Sequence, residues 1–106
     1  TYAQLWRRVE ALACDLMTNG IEPGDRVAIL LPRSPELIVA LLAVMLAGAA
    51  YVPIDPEYSH ERTRHVLNDS DVRLILARRR QLELAGVAHS RPILSPDDWS
   101  QGRARF

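Results

Sequence analysis

Apolar and polar residues follow one another in blocks along this chain, and the blocks predict helices and strands in alternation. The first block predicts an amphipathic helix, because its apolar residues recur three or four positions apart: Leu5, Val9, Leu12 and Leu16. Thr1 and Gln4 have the spacing of a capping box at its start, and Asn19-Gly20 ends it. Asp15 falls outside the apolar stripe and is expected on the polar side.

The second block combines a short strand with an unusually apolar helix. Residues 26–31 are apolar on both faces, which is typical of a strand covered on both sides in a parallel sheet. Ser34, Pro35 and Glu36 then begin a helix as N-cap, first-turn proline and dipole partner. Residues 37–47 carry no polar side chain, and Gly48 ends the run. A helix that is apolar all round must be covered all round, so we expect a further layer of protein, absent from this chain, to pack there. The alternative is that the first helix and the C-terminal tail cover it.

The remaining blocks continue the alternation. Residues 50–52 predict a short strand ended by Pro53, and Ser59 begins a helix that ends near residues 68–70, with three side chains facing inward: Thr63, Val66 and Leu67. A strand at 72–76, a helix at 77–85 ended by Gly86 and a weak strand at 93–94 follow, and residues 95–106 are expected to be loop or frayed tail. This order predicts an α/β fold with a parallel sheet and helices on both faces.

Composition and charge exclude several kinds of partner. The chain has 106 residues, and its 13 basic and 13 acidic residues give a formal net charge of zero. Nucleic acids and anionic membranes both require a basic excess, so neither is expected as a partner. The apolar run 37–47 is shorter than the roughly 20 residues that span a bilayer. Cys14, the one cysteine, lies opposite the apolar stripe and is expected to be exposed; it excludes an internal disulfide and fits a reducing, cytoplasmic compartment. The missing initial Met and the abrupt end at residues 103–106 suggest a piece of a longer chain.

Chemically useful residues are scarce at the predicted strand ends, where parallel sheets hold their ligands. Those ends are residues 31–34, 53–56, 76–78 and 95–96, and none is rich in glycine. All 13 basic residues are Arg, and there is no phosphate-binding glycine loop and no G-x-S-x-G elbow. Asp55 is a candidate general base, but a turn role is favoured between Ile54 and Pro56. The run 78–80 is interpreted as a solvated helix start, and the histidines as surface or structural residues: His60, His65 and His89. No catalytic, cofactor-binding or metal-binding residue is predicted.

Two motifs resemble the adenylation domains of nonribosomal peptide synthetases. Residues 1–5, Thr-Tyr-Ala-Gln-Leu, are similar to the first core motif of that family. Residues 45–56, Met-Leu-Ala-Gly-Ala-Ala-Tyr-Val-Pro-Ile-Asp-Pro, closely resemble the second. Segments that also fit are 23–27, 34–36, 61–62 and 67–70, so the resemblance covers most of residues 1–76. The chain departs from the family at Ser59, where Pro is common, and at Thr63, where Leu is common. Residues 77–106 show no resemblance.

The resemblance implies that residues 1–94 are the N-terminal piece of the large subdomain of such a domain. Intact relatives use ATP and magnesium to convert a carboxylic acid, usually an amino acid, into an acyl-adenylate, and pass the acyl group to the phosphopantetheine thiol of a carrier protein. Their phosphate loop, nucleotide and substrate contacts and catalytic lysine come later in the chain, so the resemblance assigns no site residue here and implies that residues 1–106 alone are inactive. The implied partners are the rest of the adenylation domain and neighbouring condensation and carrier-protein domains.

Two alternatives remain open. One is a truncated adenylation remnant kept as a non-catalytic scaffold or docking surface within a multidomain synthase. The other is an independent flavodoxin-like binding module, which should be a stable monomer that unfolds cooperatively.

Overall fold

A four-stranded parallel sheet with helices on both faces forms the centre of the computed structural model, which describes residues 1–86 and 91–99. The helices are α1 (Tyr2–Thr18), α2 (Pro35–Leu46), α3 (His60–Asp69) and α4 (Arg79–Ala85). The strands are β1 (Arg26–Leu30), β2 (Ala50–Pro53), β3 (Leu74–Ala77) and β4 (Ile93–Leu94). Their order in the sheet is β2-β1-β3-β4, and every neighbouring pair is parallel. The predicted fold class and the predicted order of elements are confirmed.

The two faces of β1 and β3 contact different pairs of helices. Successive side chains of a strand point to opposite faces. One face, with Val27 and Leu74, belongs to the core formed with α1 and α2. The other face, with Ala28 and Ile75, packs with Leu67 of α3 and with α4. Residues 27–30 and 74–77 are all buried, which confirms that these strands are covered on both sides.

Local sequence signals set the ends of α1, α2 and α3 as predicted, whereas α4 begins at Arg79 rather than at residue 77, because Ala77 pairs with β1 as part of β3. The Gln4 N–H donates to Thr1 Oγ1 at 3.2 Å, and the Thr1 ammonium donates to Gln4 Oε1 at 3.1 Å, which completes the capping box of α1. Ser34 and Ser59 each accept a hydrogen bond from the backbone three residues on, and so cap α2 and α3. Gly20 follows α1 with a φ of +91°, the left-handed conformation that ends many helices.

Three expectations about α1 and β3 were wrong. Asp15, expected on the polar side, is 4% exposed, and Cys14, expected to be exposed, is partly buried. The reason is that α1 is covered over a wider arc than its apolar stripe, since Ala11 and Ala13 are buried as well. The third strand spans 74–77 rather than 72–76, because its register is set by pairing with residues 27–30 of β1.

Residues 95–99 are packed, where we expected a loop or frayed tail. They form a 3₁₀ turn over Pro96–Asp98, and Asp98 Oδ2 accepts hydrogen bonds from Arg79 Nη2 at 2.6 Å and from the Ser95 N–H at 3.2 Å. Trp99 is 6% exposed in the α1–α2 core, and its Nε1–H has no acceptor among the described residues. One tryptophan among polar neighbours produces no periodic pattern, which explains the error. Residues 100–106 and His89 lie outside the described residues.

Gly48, between α2 and β2, adopts a backbone conformation that disfavours other residues, since its φ is +77°. An added Cβ would make only ordinary contact, 3.5 Å from the Pro23 Cβ. We expect Gly48→Ala to lower the free energy of unfolding by about 1–2 kcal/mol, because L-residues are strained in the left-handed region. Urea unfolding followed by far-UV circular dichroism measures this. Thr18→Ala, at an exposed helical position, is the control and should change it by less than about 0.5 kcal/mol. Equal midpoints for both variants would contradict the expectation.

Candidate functional site

A crevice lies at the carboxyl ends of β1 and β2, and the topology explains it. β1 leads into α2, on the same face of the sheet as α1, whereas β2 leads into α3 on the opposite face. Neighbouring strands whose connections leave toward opposite faces have an open groove between their loops, and ligands of parallel α/β proteins bind in such grooves. This crevice has a volume of about 590 Å³. It joins two of the four strand ends considered in the sequence, residues 31–34 and 53–56.

The crevice has apolar walls and a charged rim. The walls come from β1, from α2 and from the turn after β2: Ile29, Leu31, Pro32, Leu37, Leu41, Pro53, Ile54, Pro56 and Tyr58. The charged residues are Arg33, Asp55 and Glu57, and all three are exposed. Among the described residues, no buried polar side chain lines the crevice. Small-molecule sites combine apolar walls with a few inward-pointing polar groups. The polar groups in the lining of this crevice are the three charged side chains of its rim and the Tyr58 hydroxyl.

The start of α2, beside the crevice, is not a free anion site. Pro35 has no N–H, and the Leu37 N–H donates to Ser34 Oγ at 3.3 Å. Glu36 adds a carboxylate in the first turn. Helix starts bind phosphate through free N–H groups and the positive end of the helix dipole. In α2, Pro35 removes one of these N–H groups and Ser34 occupies another. The Glu36 carboxylate opposes the binding of a second negative charge at the positive end of the helix dipole.

Asp55 fills the turn role that the sequence favoured. Its Oδ1 accepts the Glu57 N–H at 2.9 Å, and its carbonyl oxygen accepts the Tyr58 N–H at 3.0 Å. This is an Asx turn, in which an aspartate bonds to its own backbone two residues on. The carboxylate is engaged in the turn, and the structure gives no ground for assigning it as a general base.

The other polar residues considered in the sequence lie on the surface. Arg78 precedes α4 and forms an ion pair with Glu36, 3.6 Å from Nη2 to Oε1. His65 Nε2 lies 3.0 Å from Asp69 Oδ2, one helical turn away, and both side chains are exposed. His60 is also exposed. Within residues 1–86 and 91–99, no group of three or more His, Cys, Asp or Glu is placed to hold a metal ion.

Within the part of the chain that the structure describes, one side of α2 is exposed. Ile38, Met45 and Leu46 are 52%, 59% and 48% exposed, whereas the opposite side of the helix is buried against α1 and the sheet through Val39, Ala40, Ala43 and Val44. The described part of the chain therefore covers only half of the helix that the sequence predicts to be covered all round. None of the described helices has the length and apolar character needed to cross a membrane.

Comparison with known proteins identifies the family. Residues 1–103 match the family model described as AMP-binding enzyme. A protein of the linear gramicidin synthase of Brevibacillus parabrevis is 43% identical over 98 residues, which are 92% of this chain and 2% of that protein. Malpinin synthetase of Mortierella alpina is 43% identical over 77 residues, which are 73% of this chain and 1% of that protein.

Solved structures of related proteins have the same fold as this chain. A four-domain nonribosomal peptide synthetase bound to AMP and glycine aligns with a TM-score of 0.85 at 33% identity, over 94% of this chain and 8% of that chain. Klebsiella oxytoca NpsA, in complex with 3-hydroxyanthranilyl-AMSN, aligns with a TM-score of 0.78 at 30% identity, over 100% of this chain and 22% of that chain.

The fold and these matches define the N-terminal parallel α/β unit of an adenylate-forming protein. The chain belongs to the AMP-binding enzyme family, and it corresponds to the N-terminal region of the adenylation domains of nonribosomal peptide synthetases. The expectation that residues 77–106 show no resemblance was wrong for residues 77–103, because the family match extends that far.

The role of Asp55 in the turn can be separated from a role in catalysis. Asp55→Asn keeps the Oδ1 acceptor for the Glu57 N–H, so we expect the free energy of unfolding to stay within about 0.5 kcal/mol of the parent. Asp55→Ala removes the acceptor and should cost about 1 kcal/mol in urea unfolding. A loss of adenylate formation of ~100-fold or more for Asp55→Asn, in an adenylation domain that contains this segment, would contradict the turn assignment.

Proposed function

We propose that this chain is the N-terminal structural part of a nonribosomal peptide synthetase adenylation domain. The intact domain would use ATP and Mg²⁺ to activate an amino acid as an aminoacyl-adenylate and load it on the phosphopantetheine thiol of a carrier protein. Membership of the AMP-binding enzyme family supports this proposal. The relatives support it as well, because the chain spans only 2% and 1% of two of them and so corresponds to a small part of a long synthetase. The proposed partners are the rest of the adenylation domain and neighbouring condensation and carrier-protein domains, and the proposed location is the cytoplasm.

The observation that carries the proposal is an apolar stripe on α2, formed by Ile38, Leu42, Met45 and Leu46. These positions are spaced i, i+4, i+7 and i+8, so they share one side of the helix. Three are exposed and Leu42 is partly buried. A contiguous apolar surface of this kind marks an interface. A continuation of the same domain would cover it permanently, as a buried layer of the fold.

The chain's own residues contribute no reacting group in this proposal. The sequence contains no lysine, so the catalytic lysine implied by the family must lie elsewhere. The start of α2 has its hydrogen-bonding groups occupied by Ser34 and Pro35. We therefore infer that nucleotide, Mg²⁺ and amino acid contact later parts of the domain, and that residues 1–106 position those parts.

Residues 1–106 alone should show no amino-acid-dependent ATP–pyrophosphate exchange with any proteinogenic amino acid. The same segment, grafted in place of the aligned part of the four-domain synthetase bound to AMP and glycine, should keep glycine-dependent exchange within ~10-fold of the unmodified host, because the reacting groups lie in the host. Turnover by residues 1–106 alone would contradict the proposal. So would a graft that is soluble and folded, by gel filtration and circular dichroism, but inactive.

The stripe should respond in opposite ways in the isolated chain and in the graft. Met45→Asp places a charge on the stripe, so the isolated chain should self-associate less in sedimentation velocity. In the graft the same charge would be buried, and the thermal midpoint should fall strongly, because an unpaired buried charge costs several kcal/mol. Met17→Asp is the matched control, since Met17 is 51% exposed on α1 and outside the stripe. Equal midpoints for the two variants in the graft would show that the stripe is not an internal interface.

A second candidate function is a truncated remnant that acts as a scaffold between synthase domains, and the same exposed stripe favours it. The gene downstream of Phe106 distinguishes the two. A glycine-rich loop with Ser/Thr and Lys supports the adenylation domain. Direct passage into a different domain supports the remnant, with the stripe as its docking surface.

A further inference from the structure

We propose that residues 93–99 form a strap that opens while the rest of the unit stays folded, and that the Arg79–Asp98 ion pair controls its opening. The strap consists of β4, the 3₁₀ turn and Trp99. It is independent of the proposed adenylation function, because none of its contacts involves a nucleotide or an amino acid substrate.

The strap crosses from one face of the sheet to the other. β4 is parallel to β3, so the chain leaves β4 at the carboxyl edge of the sheet, the same edge at which α4 begins. α4 packs through Leu82 into the core on the face of α3. Trp99 lies in the core on the opposite face, with α1 and α2. Arg79, the first residue of α4, contacts Asp98 one residue before Trp99, and so holds the strap where it crosses.

The backbone joins the strap only weakly to the sheet. β4 is two residues long, is half-buried and pairs with β3 alone among the described strands. The hydrogen bonds of the turn stay inside the strap, since Asp98 accepts the Ser95 N–H through its side chain and donates its own N–H to the Ser95 carbonyl. Segments with few hydrogen bonds to the rest of a protein open at lower free energy than its core.

Trp99 reduces the free-energy difference between the closed and the open strap. Its side chain is 6% exposed, and its Nε1–H has no acceptor among the described residues. A buried donor without an acceptor loses the hydrogen bond that it makes to water in the open state. Burial of the apolar ring favours the closed state, and the unpaired N–H opposes it. A single further contact can therefore shift the balance between the two states.

The Arg79–Asp98 ion pair is that contact. Nη2 of Arg79 lies 2.6 Å from Oδ2 of Asp98, and the two side chains are 54% and 39% exposed. An ion pair at this exposure is weakened by salt. The preceding residue, Arg78, pairs with Glu36 of α2 and does not contact the strap through its ion pair. We therefore expect the strap to open more often when salt is added.

Hydrogen exchange of the Trp99 indole proton, followed by NMR on residues 1–106, measures the opening. The chain has two tryptophans, and a Trp6→Phe variant identifies the signal of Trp99. The backbone N–H groups of buried β1 are the reference for unfolding of the whole unit. After correction for intrinsic rates, we expect the Trp99 indole proton to exchange at least ~10-fold faster than these amides. If the chain self-associates at the concentration used, every variant also carries Met45→Asp.

Two substitutions remove the ion pair. Arg79→Gln removes the positive charge, and Asp98→Asn removes the negative charge but keeps an oxygen for the Ser95 N–H. Each should accelerate Trp99 exchange by about 2–5-fold, the range expected for an exposed ion pair. The double variant should resemble either single variant, because both lose the same interaction. Arg80→Gln, at the next exposed position, is the matched control and should leave the rate unchanged.

Salt and a distant substitution complete the test. Raising NaCl from ~0.05 M to ~0.5 M should accelerate Trp99 exchange in the parent but not in Arg79→Gln, where no ion pair remains to be screened. Gly48→Ala lies outside the strap and destabilises the closed and open states equally. It should accelerate exchange of the β1 amides and leave Trp99 exchange unchanged.

Two results would overturn the proposal. Exchange of Trp99 at the corrected rate of the β1 amides would show that residues 93–99 open only when the whole unit unfolds. An unchanged Trp99 rate in Arg79→Gln would show that the ion pair does not control the opening. If Arg79→Gln does not fold, the salt series on the parent decides the second point, since a Trp99 rate that is independent of salt contradicts control by an exposed ion pair.

Discussion

A helix without a polar side is the constraint on which the rest of this structure depends. Residues 37–47 give α2 no face that prefers water, and burial of apolar surface is the main favourable term in folding. One half of α2 is buried between α1 and the sheet, and this packing fixes both the place of α1 and the path of the chain from β1 to β2. Among the described residues, Ile38, Met45 and Leu46 on the other side of α2 are exposed. The helix therefore joins the core on one side and presents an apolar surface on the other.

Sequence reasoning succeeded where a structural feature depends on neighbouring residues. Ser34 and Ser59 each provide a side-chain oxygen that accepts the backbone N–H three residues on, so both helix starts follow from local chemistry. The turn role of Asp55 follows in the same way. The two core motifs also indicated the family, because each motif combines several neighbouring residues in a fixed order.

The errors concern features that depend on distant residues. Burial of Asp15 and partial burial of Cys14 result from the arc over which α1 is covered, and the amphipathic pattern gives only the centre of that arc. The register of β3 is set by its pairing with β1, 47 positions from Val27 to Leu74. Trp99 enters the core next to the Ser95 turn and the Arg79–Asp98 ion pair, which joins residues 19 positions apart. The four strand ends were visible in the sequence, but which two border a crevice depends on strand order and on the face to which each connection leads.

The start of α2 shows how stability and chemistry conflict within this fold. The position beside the crevice, at the carboxyl end of a parallel strand, is where α/β proteins bind phosphate through free helix N–H groups. Here a capping serine, a proline at the first helical position and an acidic first turn occupy or remove those groups. Each of these features stabilises a helix start, and together they disfavour anion binding at this position. The residues that begin the apolar helix α2 therefore make a poor anion site of the strand end at which parallel α/β proteins usually bind ligands.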